Sequence, residues 1–369
     1  MHQMNTCAIV SLCVCLVSHC PSAAVLATEG PEPDDTSALQ RQVDAAISMR
    51  KPVVLQSRVY RISSSIVVAS RRANSVLGLT IQGAGVGNTV IVWGGSPEKS
   101  VFVIKGAKYG TVAGLYFKGT RALADLDFAG NGSSSNMKIS TVYFENPATF
   151  SVRLGNPQDF SEVSEFSFES VASANATSAG FEIEGNNSLN ENFYNCGCSH
   201  EPACVSNSPL LDPAAQAGGN FNWFGGSVSS TPDRTSDARH ATFLLSNGAT
   251  YNFIGVRVEN SSTLFYTSNS SARVMVNWIG GMWYDWMAEE SNNEIIVLAD
   301  AGSFRSTNSV WMGKGSFYFG PHTISNEFEG DDFRLGKTGQ VLNESSRNYF
   351  ARVPKEAPLR LVDIRAERF

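Results

Sequence analysis

The stretch "VNWIGGMWYDW", Val276 to Trp286, crowds three tryptophans and a tyrosine against a pair of glycines. Its opening phrase returns along the chain. Phe193 follows Asn192, Trp223 follows Asn222, Phe253 follows Asn252 and Trp278 follows Asn277, at intervals of 30, 30 and 25 residues. Looser echoes are "GLTIQGAG" at Leu79, "GLYFKG" at Leu115, "STVYFEN" at Val142, "SEFSFES" at Phe166 and "VWMGKGSF" at Trp311. In each, apolar or aromatic residues alternate with small or polar ones before a Gly, Asn or Ser, the pattern of a half-buried strand. No long helical periodicity separates the echoes, which argues against βαβ folds. The uneven spacing argues against a propeller or a leucine-rich array. A solenoid of stacked parallel strands tolerates such spacing, because its loops bulge out freely between coils. Equivalent residues of successive coils would then lie about 4.8 Å apart. Aromatics would pile up inside, asparagines would form a ladder at a turn, and glycines would take bends of positive φ. Trp278 and Gly280 are therefore expected to be scaffold.

The totals agree with an all-β chain of many turns. The 369 residues carry 32 glycines and only 17 % charged side chains, with a net charge of -6 and no basic block. Nothing there recruits a nucleic acid. The first residues read as a secretory leader, residues 1–27. An apolar run from Cys7 to Val17, too short to span a bilayer, is followed by small residues ending in "VLA" at Ala27. A lipid anchor at Cys20 is the alternative. Residues 28–50 follow as an N-terminal segment and helix, residues 51–320 as the solenoid, and residues 321–369 as a C-terminal cap or tail. Outside the leader stand Cys196, Cys198 and Cys204, within "NCGCSHEPAC". A disulfide from Cys204 to one of the other two competes with a zinc site that would include His200.

"DDTSALQRQVDAAI" (Asp34 to Ile47) reads as an amphipathic helix with Leu39, Val43, Ala46 and Ile47 on one face and Asp34 or Asp35 as its cap. Two short strands follow in "KPVVLQSRVYRISSSIVV", then a strand, a glycine turn and a strand in "LGLTIQGAGVGNTVIVW". This order resembles the opening of the pectate-lyase-like superfamily, in which a "DDT" helix precedes a Tyr-x-Ile strand and an "L-x-I-x-G-x-G" turn. Here those elements fall on Asp34, Asp35 and Thr36, on Tyr60 and Ile62, and on Leu79, Ile81, Gly83 and Gly85, while Gln56 and Arg58 replace the usual proline and glycine. The resemblance implies a single-stranded, right-handed parallel β-helix capped by an N-terminal α-helix, and a polysaccharide as substrate or ligand. It also admits a homotrimer.

The polygalacturonate-hydrolysing branch carries N-T-D, D-D, G-H-G and R-I-K signatures. This chain has no G-H-G and no R-I-K, and its Asp331–Asp332 pair lies near the C-terminus. Lyase or epimerase chemistry on a uronate polymer is therefore the expectation. It needs a group to neutralise the uronate, a base for the C5 proton and an acid for the leaving oxygen. Arginine or calcium would neutralise the uronate. The loop "TPDRTSDARH" offers Asp233, Arg234, Asp237, Arg239 and His240, weighed against an ordinary solvated loop. "GVRVEN" puts Arg257 and Glu259 opposite Val256 and Val258, and the next coil adds Tyr284 and Asp285. Trp283 or Trp286 would border that surface as a sugar platform. Asp125, Asp127, Glu145, Glu165 and Glu169 read as surface carboxylates. A secreted polysaccharide-active enzyme is thus set against a non-catalytic, adhesin-like glycan-binding module, with a glycoside hydrolase as a further alternative.

Overall fold

The structure is a computed structural model, and it describes residues 33–70, 75–128, 133–155, 163–184, 190–207, 219–229, 241–245, 248–259, 263–267, 274–285, 295–335, 339–344 and 360–363. The leader and the lipid-anchor cysteine lie outside these residues. Each recurring phrase is one rung of a parallel ladder. On a first face Asn220–Phe224, Thr250–Ile254 and Met275–Ile279 pair in register, so Trp223, Phe253 and Trp278 form one column. On a second face the same holds for Ser227–Ser229, Arg257–Glu259 and Met282–Tyr284. A third face stacks Ala203–Asn207, Phe243–Leu245 and Phe265–Thr267. Earlier coils add a short fourth side, where Ser134–Ser135 sits between Ala107–Lys108 and Val163–Ser164.

Stacking turns sequence repeats into columns. The rings of Phe168, Phe193 and Trp223 lie parallel, 4.5 and 4.7 Å between successive centroids at 11° and 3°. Asparagines also form a ladder, but along the outward side of the first-face strands and not at the turn where one was expected. Asn222 donates to Asn192 at 3.0 Å, Asn252 to Asn222 at 2.8 Å and Asn277 to Asn252 at 2.8 Å. The turn between the first two faces is instead a column of left-handed residues: Asn195, Gly225, Gly255, Gly280 and Asn308. Each corner N–H donates to the last first-face carbonyl of the next coil, as Gly280 does to Thr307 at 2.8 Å.

This geometry explains the glycine pair. Gly280 has φ +59, and a Cβ added there would meet nothing within 4 Å, so the glycine is there for its backbone. Gly281 has an ordinary φ, but a Cβ there would overlap the indole of Trp278. One glycine makes the corner and the other makes room for the tryptophan that fills it.

The helix Thr36–Met49 buries Leu39, Val43 and Ala46. Asp35 stands at its N-cap yet makes no side-chain capping bond. Its carboxylate takes Arg58 at 2.8 and 3.1 Å and the Arg61 N–H at 3.0 Å. Asp34 accepts the Thr36 N–H at 2.9 Å and the Ser63 hydroxyl at 2.5 Å. The acid pair thus fastens the helix to the first coil. Arg58 also lies 3.9 Å over the Tyr60 ring, whose hydroxyl accepts the Gln56 N–H at 2.8 Å. At the far end the ladder runs past residue 320. Asp332–Leu335 pairs with Val310–Gly313, and Gln340–Asn343 pairs with Ser316–Thr323 and Arg360–Asp363. The late strands keep the inward–outward alternation although they lack the Asn–aromatic phrase.

Candidate functional site

A strand with one wet face should alternate in burial, and the first face does, with Thr250 and Ile254 less covered than Tyr251 and Phe253. Two third-face strands break that rule. Every residue of Ala124–Phe128 and of Ala179–Ile183 is buried, outward side chains included. This face is therefore overhung, and it holds charge. Asp127, Arg153 and Glu182 stand in register on three consecutive coils. Asp127 is 7 % exposed and Glu182 3 %.

Arg153 organises the cluster. Its Nε lies 3.8 Å from the Asp127 carboxylate and 3.1 Å from that of Glu184. Because both acids reach the same nitrogen, at 3.8 and 3.1 Å, their near oxygens are at most about 7 Å apart. The Ser100 hydroxyl donates to the other oxygen of Asp127 at 2.7 Å. Burial pushes the Glu184 carboxyl above the usual range, Arg153 opposes that rise and Asp127 adds to it. Among the described residues the floor thus sets three carboxyls against one guanidinium. A carboxyl raised above its usual range beside a second carboxyl within several ångströms is the kind of pair that can do acid–base work on a bond between them.

Of the outer surface expected at Arg257, the second face places Arg257, Glu259 and Tyr284 at neighbouring positions, with Tyr284 only 7 % exposed. Arg257 Nε meets Glu259 at 2.5 Å, and Glu259 stands in register with Tyr284. The Tyr284 phenol is raised by burial and by Glu259, with Arg257 opposing. Asp285 is buried, and its N–H donates to the Met312 carbonyl at 3.0 Å. Trp283 does not border that surface. It is fully buried in an inward column between Val258 and Trp311, because the glycine corner precedes the strand and leaves Met282 as the outward residue. Asp233, Arg234, Asp237, Arg239, His240 and Trp286 lie outside the described residues.

Two other expectations change. Asp125 and Asp127, read as surface carboxylates, are buried under the overhang of the third face. Asp331 and Asp332 do not converge: the first accepts the Ser309 N–H at 2.8 Å, while the second pairs with Arg334 at 2.7 Å on the outside. Cys198 and Cys204 form a disulfide, leaving Cys196 as a buried thiol pushed up to about 11 by desolvation. Among the described residues no three His, Cys, Asp or Glu side chains are grouped to hold a metal ion. Sequence reasoning missed Arg153, Glu182, Glu184 and Ser100. The signal was a charge set among apolar neighbours at one place in successive coils, in "ADLDF", "SVRLG" and "FEIEG".

No protein-family model matches the chain, and no curated protein matches it by sequence. Solved structures do. An endo-xylogalacturonan hydrolase from Aspergillus tubingensis aligns over 91 % of this chain and 97 % of its own, at 13 % identity and a TM-score of 0.56. This chain is a right-handed parallel β-helix. The fold implied by Asp34–Thr36, Tyr60 and the Leu79–Gly85 turn is therefore the fold observed. The Agl-KA catalytic domain aligns over 90 % of this chain and 66 % of its own, at 13 % identity and a TM-score of 0.51. The A-module of mannuronan C-5 epimerase AlgE4 from Azotobacter vinelandii covers 87 % and 96 %, at 13 % identity and a TM-score of 0.49. Such likeness speaks for architecture, and activity has to come from the site. No helix among the described residues is long and apolar enough to cross a membrane.

Proposed function

We propose that this protein is a carbohydrate-active enzyme that cleaves a polysaccharide lying along the third face. The observation that carries this reading is the Asp127–Arg153–Glu184 cluster on the outward side of the third face, with Asp127 buried and Arg153 and Glu184 part-buried. Glu184 gives its proton to the glycosidic oxygen as the bond to the anomeric carbon breaks. Asp127 takes a proton from the water that attacks that carbon, and Arg153 holds both carboxyls in place. A pair that admits the attacking water between its carboxyls is about 6.5–9.5 Å apart, a range that the upper end of the bound of about 7 Å reaches. The similar fold of a xylogalacturonan hydrolase supports a carbohydrate substrate. The leader-like residues 1–27 and the Cys198–Cys204 disulfide support secretion into an oxidising compartment.

A second reading keeps lyase or epimerase chemistry on a uronate polymer. It is favoured by Arg257, Glu259 and Tyr284 coming together on the second face, with calcium as the added cation such chemistry takes. One assay separates the readings. The mature protein is incubated with neutral and uronate-containing polysaccharides, with and without calcium, while new reducing ends and unsaturated-product absorbance are followed. Reducing ends without absorbance, lost in Glu184→Gln, are the expected result. Absorbance lost in Arg257→Ala establishes the second reading, and binding without turnover across the panel sinks both in favour of a glycan-binding module.

A further inference from the structure

Among the described residues outside the cluster, three carboxyls that are at most 3 % exposed have no cation beside them, while a fourth, Asp331, lies nearer solvent at 8 %. Asp125 is 0 % exposed, Glu201 1 % and Glu191 3 %. Each has one carboxyl oxygen that finds no hydrogen-bond partner. Glu191 points into the core, where the next coil places Phe221 at the same position. Asp125 and Glu201 share the corner behind the third face. Thr120 donates to Asp125 at 2.6 Å, the Ser151 and Ser173 hydroxyls meet at 2.5 Å, and Ser173 donates to Glu201. The free oxygen of Glu201 faces Gly180, where a Cβ would sit only 2.5 Å away. Among the described residues the ionisable groups acting on these acids are Glu165 on Glu191, and Tyr143 beside Glu201; neither is a cation.

A carboxylate in such a place loses its hydration and has only hydroxyl and backbone hydrogen bonds in return, so the group keeps its proton instead. Desolvation pushes Glu191 and Glu201 up to about 8 and raises Asp125 in the same direction. Asp125 shares its strand with Asp127, and Gly180 shares its strand with Glu182. Ionising the corner acids therefore strains the two strands that present the outward cluster.

We propose that Asp125, Glu191 and Glu201 are neutral acids in the folded chain and form a proton lock: deprotonation of Asp125 and Glu201 loosens the strands carrying the third-face cluster, and deprotonation of Glu191 loosens the core beside Phe221. The sign follows from linkage. A carboxyl held above its unfolded value binds its proton more tightly when folded, so its contribution is full below about pH 4.5 and is lost as pH climbs through about 8. The test is thermal unfolding of the full chain at pH 5, 7 and 9, beside the variant combining Asp125→Asn, Glu191→Gln and Glu201→Gln. The expected result is a melting temperature that falls by about 5–10 °C from pH 5 to 9 in the native protein, and by less than half as much in the variant. A flat or rising native curve, or an equal fall in the variant, overturns the lock. Should the variant not fold, proton release on urea unfolding of the native protein at pH 7 decides: release of about two protons or more supports the lock, and less than about one overturns it. A calcium-dependent rescue at pH 9, removed by chelator, would show that a cation and not a proton satisfies these oxygens, and would overturn it as well.

Discussion

Two stretches of one ladder use identical register for opposite ends. In the coils from Asn192 to Trp283 like sits on like: asparagine hydrogen-bonds to asparagine, and aromatic rings pack along the axis. In the coils from Ala124 to Glu184 unlike sits on unlike, with Asp127, Arg153 and Glu182 stacked in sequence. Strand spacing is the same in both, so the difference lies wholly in what each coil places at a shared position. A repeated neutral residue adds one modest contact per coil and stiffens the stack. An alternation of charge under an overhang makes a low-dielectric cluster whose protonation can be tuned. The scaffold multiplies whatever it is given.

The contrast is tested first where the expected effect is largest. Glu184→Gln should lower turnover of the responsive glycan by about 10²–10⁴-fold, the range for loss of a general acid, with the melting temperature little changed. Initial rates and thermal unfolding on the same preparations check both halves. A comparable loss of turnover from Asn222→Ala, which stands on another face, would show that the two regions do not divide the labour as described.

In the neutral region, adjacent glycines give different answers. Gly281→Ala should destabilise by about 1–3 kcal/mol, the usual range for overpacking a filled core, because the new methyl meets the Trp278 indole. Gly280→Ala meets no atom and costs only its left-handed backbone, about 1–2 kcal/mol. Gly280→Asn should cost less than Gly280→Ala, since Asn195 and Asn308 already occupy this corner on other coils. Urea unfolding of the three variants orders them. An equal cost for the alanine and asparagine variants at Gly280 would remove the backbone explanation. Weaker still, Asn222→Ala breaks two rungs of the amide ladder and should cost about 1 kcal/mol, since the freed partners remain near solvent.

Why one region was legible and the other was not has a physical reason. Asn192, Asn222, Asn252 and Asn277 announce their register by being the same residue, so the stack can be read before any coordinates. The corner column was harder, because Asn195, Gly255 and Asn308 share a conformation and not an identity. Arg153 and Glu182 share only a place in their coils, and no pattern of residue type links them. Asp125 and Asp127 misled through their own alternation: "ADLDF" sends both outward, and outward ordinarily means wet. Here the outward positions are covered, with Thr120 against Asp125 and with Ser100 and Arg153 against Asp127. The solenoid likewise runs past residue 320 on "EFE" and "DFRL", runs too short and too charged to stand out.

The smallest effect concerns the second face. Arg257 is 45 % exposed and its partner Glu259 29 %, so their ion pair is screened by water. Exposed pairs of this kind contribute about 0.2–1 kcal/mol, less at high salt. Arg257→Ala should therefore shift unfolding by no more than that amount, with turnover within about twofold of the native rate if cleavage belongs to the third face. Added salt should shrink the stability difference, because screening weakens a pair that remains in the native protein and not in the variant. A salt-insensitive loss would mean that the arginine's aliphatic stem covers Met282, its neighbour in register, and acts through packing. A loss of turnover of about a hundredfold with unchanged stability would move the catalytic surface to the second face and leave the third-face acid cluster as a structural device.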